Sequence, residues 1–362
     1  MPQDRNGLSW RTPFVSKLRM SGIISSSSCP ARMDTMHQRV LPRSEEQVEA
    51  VMKGKESLMR RRLVRVRVID DIIKLLVVFS LVGLPIVAFS SCSAAQTIAP
   101  SGNKTTEVRD LESFNSVELT VRGTLVIEQG DKDSITIETY KNLMPLVTTN
   151  VSSGKLTIGV KEGYQVGASE GDLDFRLMAK DLNSISNSSL GSVTASGLHT
   201  DGLEIDLTSY GDISIDNLVV EGNLVINSSG FGDMTTDNLV VTEGLQINSN
   251  RIGGVTIQNL VASEITTEIT DLGIVSLSGK ADKQTVTSDG IGVYEAEGLE
   301  SSECTVKVDA TTFHTDSPEC RVSLNVSDSL DVRLNGDVDV CYKGNPQVTE
   351  EVSGNGSVKR IE

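Results

Sequence analysis

Residues 211–220 read GDISIDNLVV, and residues 232–241, which follow at an interval of 21, read GDMTTDNLVV. Apolar residues on either side repeat at the same interval, and they include Ile205, Ile226, Ile247, Leu218, Leu239 and Leu260. Self-similarity at a fixed period of about 20 residues is typical of a solenoid in which each repeat forms one coil. The two decapeptides are therefore predicted to be the same piece of wall in adjacent coils.

Within one period, apolar and polar residues alternate in short pieces. The inward-facing set of one coil is Leu203, Ile205, Leu207, Ile213, Ile215, Leu218 and Val220. Alternation with a period of two indicates strands, and beyond residue 105 no helical period is sustained. Three short strands per turn predict an all-β fold, a right-handed parallel β-helix with about 20–21 residues per coil and coils about 4.8 Å apart.

Stacking brings equivalent side chains into columns along the solenoid axis. Asn217, Asn238 and Asn259 are predicted to form a structural ladder in which amides bond along the axis. A glycine column is predicted to supply the positive φ angles of the turns. Its members are Gly191, Gly211, Gly232, Gly253, Gly273 and Gly292.

The N-terminal part of the chain has the composition of an export signal. Residues 59–92 have a basic start, an apolar run, two small residues and then Cys92, a layout that resembles the bacterial lipobox. This pattern predicts cleavage before Cys92 and lipid attachment to its thiol, and the alternative is an uncleaved signal-anchor helix over residues 72–91. Residues 1–58 are predicted to be disordered or an over-extended start, and residues 93–105 to be a tether.

Residues 106–362 are predicted to form the β-helix domain. From residue 108 to residue 163 the strand pattern is less regular, with runs such as SITIETY and KLTIGV separated by short turns. These runs are either the first, more loosely built coils or a cap over the open end of the stack.

The charge is divided unevenly along the chain. Residues 1–74 hold 15 Lys/Arg against 8 Asp/Glu, whereas residues 92–362 hold 18 against 41. No Lys or Arg lies between Lys180 and Arg251, so this surface repels nucleic acid and anionic lipid headgroups. The partners expected are an unknown protein or a neutral glycan, with the membrane reached only through the anchor.

Two pairs of aspartates fall one coil apart, Asp212 with Asp233 and Asp216 with Asp237. Carboxylates near 5 Å apart repel each other unless they splay into solvent, share a proton or hold a cation. Splaying into solvent is the favoured interpretation, and calcium binding at these oxygen-rich corners is the alternative. No other cofactor is expected.

The exported part contains three cysteines, Cys304, Cys320 and Cys341. Cys320 and Cys341 are 21 residues apart and are within reach of a disulfide as stacked neighbours, although side chains of stacked strands often aim their sulfurs poorly. The sequence favours buried free thiols and leaves the bridge open.

The two ends of the predicted domain resemble one known family. Residues 330–361 read LDVRLNGDVDVCYKGNPQVTEEVSGNGSVKRI and look like the C-terminus of the putative auto-transporter adhesin, head GIN domain family, and residues 108–131 resemble its start. The resemblance implies a secreted or lipid-anchored β-helical protein without an established activity. The middle of the chain departs from the family, because its usual Ser-Gly-Ser-Gly-Asp turns become SYGD, GFGD and RIGG.

These observations predict an exported, envelope-anchored and non-enzymatic β-helical protein that serves as an adhesin or as a structural or interaction module. An outer-membrane lipoprotein is favoured over an inner-membrane signal anchor. Outward apolar residues such as Val219 and Val240 predict a stripe for partner contact or self-association. The alternative is a carbohydrate-active enzyme, either a lyase, which the lack of basic residues disfavours, or a hydrolase, which needs paired carboxylates in a cleft.

Overall fold

Parallel pairing between successive coils organises the protein into a β-solenoid of about eight turns, as the sequence predicts. The computed structural model describes residues 95–167, 169, 171–310 and 320–362. Residues 1–58 and the predicted signal segment, which ends at Cys92, lie outside the described residues.

The N-terminal region is built from short strands and one 3-10 turn. These elements are β1 (Gln96–Ile98), β2 (Lys104–Asp110), β3 (Ser116–Leu119), β4 (Thr124–Gln129), β5 (Ser134–Tyr140), the 3-10 turn (Met144–Leu146), β6 (Val147–Ser152), β7 (Lys155–Val160), β8 (Tyr164–Val166) and β9 (Leu173–Ala179). The regular coils then begin with β10 (Ser184–Asn187), β11 (Ser192–Ser196), β12 (His199–Thr200), β13 (Leu203–Leu207), β14 (Ile213–Val220) and β15 (Leu224–Ser228).

The later coils consist of longer strands. These are β16 (Met234–Asn250), β17 (Gly254–Thr270), β18 (Ile274–Ser288), β19 (Val293–Ala310), β20 (Val322–Gly336), β21 (Asp339–Gly344), β22 (Gln347–Ser353) and β23 (Ser357–Arg360). A strand of 15 to 18 residues exceeds one side of a coil, so β16 to β20 run through corners without losing their ladder. The three short strands per turn that the sequence predicts are therefore joined in the later coils, and the breaks between β16, β17, β18 and β19 fall at the glycine corner.

The repeated decapeptides pair with each other as the period predicts. Ile213 of β14 lies opposite Met234 of β16, and Met234 lies opposite Val255 of β17. The inward side chains of these strands are almost completely buried and form one continuous core. Alternation places the intervening polar residues on the outer wall.

The irregular N-terminal region forms both a coil and a cap. Strand β3 pairs with β7 on one side and β10 on the other, and β4 likewise pairs with β9 and β11. Residues 155–179 therefore lie beneath residues 116–129, in the reverse of their order along the chain. Antiparallel strands then extend this end, because β5 pairs with β9 and β2, and β6 pairs with β7.

The glycine column has a different role from the predicted one. Gly211, Gly232 and Gly253 do not have positive φ angles. They are instead needed for close approach, because a Cβ on Gly232 would overlap the carbonyl oxygen of Gly211 in the coil below, and a Cβ on Gly211 would overlap that of Gly191. The prediction of positive φ at this corner is wrong. A repeated glycine can be required by a lack of space for a side chain as well as by a positive φ angle.

The interior of the upper coils contains a polar network that the sequence pattern did not reveal. The hydroxyl of Tyr294 donates to Gln284 Oε1 at 2.8 Å, and Gln284 Nε2 donates to Ser301 Oγ at 2.6 Å. Burial raises the pKa of the Tyr294 hydroxyl, and the neighbouring Cys304 raises it further. Burial also raises the pKa of the Cys304 thiol to about 12, so this free cysteine stays protonated.

Carboxylates with cationic partners fasten coils at both ends of the stack. Lys155 Nζ lies 2.7 Å from Glu118 Oε2, and this hydrogen bond lowers the pKa of Glu118 despite partial burial. Burial alone would raise the pKa of Asp339, but hydrogen bonds from Lys359 and Ser357 outweigh it and hold the pKa below its usual value. Asp339 thereby ties β23 to β21.

Cys320 and Cys341 form a disulfide, so the preference for free thiols is wrong for this pair. The spacing of 21 suggested stacked equivalents, but the register here steps by 18, since Val322 lies opposite Val340. Cys320 consequently precedes β20 and is not a ladder partner of Cys341. Its Cα lies 5.6 Å from that of Cys341, well within the range for a bridge.

The disulfide generates a prediction about stability. Because the bridge closes a loop with a separation of 21 residues, Cys320→Ser is expected to lower the free energy of unfolding by about 3 kcal/mol. Denaturant unfolding with and without dithiothreitol measures this effect. Reductant should bring the wild-type protein down to the level of the variant and leave the variant unchanged; equal stability of the oxidised and reduced wild-type protein would contradict the prediction.

Candidate interaction surface

Asp212 and Asp233 occupy the glycine corner and bind the backbone of the next coil. The amide of Asp233 donates to Asp212 Oδ1 at 2.9 Å, and the amide of Gly254 donates to Asp233 Oδ1 at 2.9 Å. Both carboxylates are otherwise exposed. Each aspartate therefore has a structural task, which is to satisfy an amide one coil above that the strand ladder leaves unpaired.

Asp216 and Asp237 are ladder partners on neighbouring coils. Asp216 is exposed, whereas Asp237 is half-buried and accepts a hydrogen bond of 2.7 Å from Asn259 Nδ2. Among the described residues, no group of three or more His, Cys, Asp or Glu side chains is placed to hold a metal ion. Calcium binding at these pairs would need further oxygen ligands from the backbone or from water.

Asn217, Asn238 and Asn259 stack at the next corner, and each has a left-handed backbone with φ between 50° and 59°. Asn238 Nδ2 donates to Asn217 Oδ1 at 3.1 Å, whereas Asn259 bonds to Asp237. Gly197, which lies beneath Asn217, also has a positive φ. Gly and Asn are the residues that tolerate this conformation, so the column is selected by its backbone as well as by amide bonding.

A second amide ladder, which we did not predict, lies on the strands before the glycine corner. Asn248 Nδ2 donates to Asn227 Oδ1 at 2.7 Å, and Asn227 Nδ2 donates to Asp206 Oδ1 at 2.8 Å. These three residues are 21 positions apart, so the period that identified the first ladder could have identified this one. Unlike Asn238, neither asparagine has a positive φ.

The predicted outward stripe forms a valine column. Val219, Val240 and Val261 are successive ladder partners, and Val240 and Val261 are exposed. The column continues upward into Lys280, which pairs with Glu300 at 3.5 Å. Val240, Val261, Lys280 and Glu300 line an open groove of about 680 Å³ on the wall.

A longer apolar feature, here called the apolar ridge, lies at the glycine corner. It consists of the residues that immediately precede the column glycines, namely Leu190, Tyr210, Phe231, Ile252, Leu272 and Ile291. The residue three positions after each of them pairs with its equivalent in the next coil, so the six ridge residues occupy equivalent positions on successive coils. Each column glycine is buried, whereas the residue before it faces solvent: five of the six ridge residues are 38–63% exposed, and Ile291 is half-buried.

Two aromatic rings stack within the ridge. The ring centroids of Tyr210 and Phe231 are 4.6 Å apart with an interplanar angle of 8°. The guanidinium of Arg251 lies over the Phe231 ring, 6.0 Å from its centroid. The sequence contains this signal in the turns SYGD, GFGD and RIGG. Their second residues, Tyr210, Phe231 and Ile252, occupy equivalent positions 21 residues apart.

A second open groove, of about 540 Å³, includes Glu295 and Glu297 among its lining residues. Both carboxylates are engaged, because Ser276 donates to Glu295 at 2.7 Å and Lys343 lies 3.0 Å from Glu297. Asp172, Asp174, Asp201 and Asp206 are the other carboxylates considered for the hydrolase alternative. Asp172 accepts a hydrogen bond from the amide of Ser169, Asp206 accepts one from Asn227, and Asp174 lies 3.6 Å from Lys104.

Among the described residues, no helix has the length and apolar character needed to cross a bilayer. The anchor predicted at Cys92 lies outside the described residues. The features that the structure does present are a β-solenoid wall, two open grooves and exposed apolar columns.

The chain belongs to the putative auto-transporter adhesin, head GIN domain family, which it matches over residues 113–231 and 220–346. This confirms the resemblance found at the ends of the domain. No curated protein matches the chain. Membership of the family and the solenoid fold support a surface, adhesin-like protein.

One solved structure shares the fold, and two further ones are similar to the chain at lower TM-scores. A putative lipid binding protein from Parabacteroides distasonis ATCC 8503 has a TM-score of 0.53 and 14% identity, and the match covers 74% of this chain and all of that one. Putative adhesins from Bacteroides fragilis NCTC 9343 and Parabacteroides merdae ATCC 43184 are 20% and 19% identical, with TM-scores of 0.41 and 0.44; the matches cover 73% and 74% of this chain and all of theirs.

Because the asparagine column has a left-handed backbone, Ala and Gly variants are expected to rank in opposite orders of stability at a column site and at a control site. At Asn238, Ala is expected to destabilise the fold by about 1 kcal/mol more than Gly, because only Gly adopts positive φ without strain. At the control site Asn248, which bonds along the axis without a positive φ, Gly is expected to be worse than Ala by about 0.5 kcal/mol. Denaturant unfolding of the four variants measures both differences. The same order at both sites would show that φ does not select the column.

Calcium binding by the aspartate pairs stays the alternative to solvated carboxylates, and calorimetric titration with thermal melting in chelator and in calcium would test it. Binding requires a saturable heat and a higher Tm in calcium. Asp216→Asn with Asp237→Asn would abolish both if this pair contributes ligands. Identical melting in the two conditions would leave the carboxylates as solvated groups and contradict the calcium hypothesis.

Proposed function

We propose that this protein is an exported, non-enzymatic adhesin-like module, held at the cell envelope through the segment at residues 59–92. The apolar ridge carries the proposal. Six apolar side chains on successive coils form a surface that a soluble protein seldom leaves uncovered unless a partner binds there. Family membership supports the same function, and the partner is expected to be a protein or a neutral glycan.

The disulfide supports export. A bridge between Cys320 and Cys341 persists in an oxidising compartment and is rare in the cytosol. The basic start of residues 59–92 and the acidic character of residues 92–362 fit a chain whose solenoid is delivered outside the cytoplasm.

The anchor is proposed to be a lipid on Cys92. A diacylated and cleaved chain would hold the solenoid at the membrane surface through two or more acyl chains, which suffices for stable attachment. Because β1 begins at Gln96 and pairs with β8, only the few residues between Cys92 and this strand would act as the tether, which is shorter than the predicted span of residues 93–105. An outer-membrane lipoprotein is the arrangement that these features favour.

The absence of catalytic function is part of the proposal. Glu295 and Glu297, the carboxylates that share a groove, are already engaged by Ser276 and Lys343, and the groove is open to water. A hydrolase would need one carboxyl group free to act as an acid and a second free to act as a base or nucleophile. These contacts favour a structural role for both glutamates.

The anchor and the binding function are tested together in cells that express the full chain. Labelled fatty acid should be incorporated into the wild-type protein, and Cys92→Ala should be unlabelled and released from the membrane, whereas the control Cys29→Ala should behave as wild type. Cells with the wild-type protein should adhere to coated protein or glycan surfaces at least about tenfold better than cells without it.

Each part of the proposal has a result that overturns it. A Cys92→Ala chain that remains acylated would exclude lipid attachment at this residue. A chain that remains in the membrane without label would favour the signal-anchor alternative. Equal adherence of cells with and without the protein, at matched surface levels, would remove the adhesin-like function.

A further inference from the structure

The apolar ridge is a linear feature with regular spacing. Its six residues span five coil intervals, which correspond to about 24 Å along the solenoid axis. An α-helix of about 16 residues has the same length. Any partner that covers the whole ridge must therefore present an apolar stripe of this extent.

Acidic groups border the ridge. On one side, Asp212 and Asp233 each follow a column glycine by one position, and both are exposed. On the other side, the exposed Asp271 immediately precedes Leu272. The three lower ridge residues, Leu190, Tyr210 and Phe231, lie in the part of the chain that has no Lys or Arg.

The chain itself shows which charged group the aromatic pair accepts. Arg251 comes from the next coil, and its guanidinium lies over the Phe231 ring. A guanidinium over an aromatic face is favourable by about 0.5–2 kcal/mol, depending on exposure. Tyr210 stacks on the Phe231 ring and is 63% exposed.

We propose that the apolar ridge, with its flanking aspartates, is a docking surface for a cationic amphipathic polypeptide segment, whose apolar stripe covers the ridge while its Arg or Lys side chains reach Asp212 and Asp233. This proposal rests on the proposed function and names the chemistry of its partner. An anionic partner is disfavoured by the same aspartates, and a second copy of the chain would bring acidic flanks together.

The test uses the full chain in phosphatidylcholine nanodiscs, with empty nanodiscs as the blank. The probe is a fluorescent amphipathic helical peptide of about 16 residues made of Leu, Ala and Arg. One matched peptide has Glu in place of Arg, and another has Ser in place of Leu. Fluorescence anisotropy is measured at low and high salt, because the ionic contribution should weaken as salt screens it.

Three double variants separate the contributions of the aromatic rings and of the flanking aspartates to peptide binding. Tyr210→Ser with Phe231→Ser removes the aromatic part of the ridge. Asp212→Asn with Asp233→Asn removes the flanking charge but keeps an oxygen that can accept the amide of the next coil. Val348→Ser with Val352→Ser is the control, since these exposed valines lie on β22, outside the ridge. Thermal melting verifies that each variant is folded.

The Arg peptide is expected to bind at least about tenfold more tightly than either matched peptide. The ridge variant should weaken binding at least about tenfold, the aspartate variant about threefold or more with a smaller salt dependence, and the control not at all. Should the ridge variant be unstable, the aspartate variant still tests the proposal, because its ridge is intact.

Other results overturn the proposal. Equal binding of the Arg and Glu peptides, or unchanged binding by the ridge variant, would exclude a cationic partner at this surface. Peptide binding only to the lipid of the blank would exclude it as well. A wild-type dimer in sedimentation that the ridge variant loses, without peptide binding, would assign the ridge to a second copy of the chain.

The failure of this inference is distinguishable from failure of the proposed function. Cells that express the ridge variant and adhere as well as wild type would overturn the docking surface while the adhesin-like function stands. Cells without the protein that adhere normally would overturn the function, whatever the peptide measurements show.

Discussion

Parallel hydrogen bonding between one coil and the next is the constraint on which the rest of this structure depends. Each strand residue has a partner directly above or below it, as Ile213 has Met234 and Met234 has Val255. A residue that suits one coil must therefore pack against its equivalents at spacings of about 4.8 Å. Inside the coil, this requirement is met by aliphatic side chains that pack on similar ones.

The corners are where the constraint is hardest to satisfy, and the chain meets it in three ways. Gly232 lets the backbone approach Gly211 closely, Asn238 adopts a left-handed conformation, and Asp233 accepts the amide of Gly254. Each solution satisfies a backbone requirement first. Polar repeats at corners are consequently weak indicators of a metal site, even when they bring carboxylates together.

The outer wall is constrained only in its spacing, so its chemistry is free to vary along the chain. The result is a set of columns, apolar at the ridge, acidic beside it and mixed at Lys280 and Glu300. A protein built in this way recognises partners through linear arrays more readily than through an enclosed pocket. That property fits the proposed adhesin-like function.

The sequence by itself determined the coil length, the parallel pairing and the members of the glycine column and of the first asparagine column, because one period of the sequence corresponds to one coil. It did not determine the axial order of the first coils, the bridge between Cys320 and Cys341 or the burial of Tyr294. These depend on register shifts and on long-range pairing, which spacing along the chain does not encode. The exposure of the ridge was also decided by tertiary structure, since the close approach between coils buries the column glycines and leaves the residues before them facing solvent.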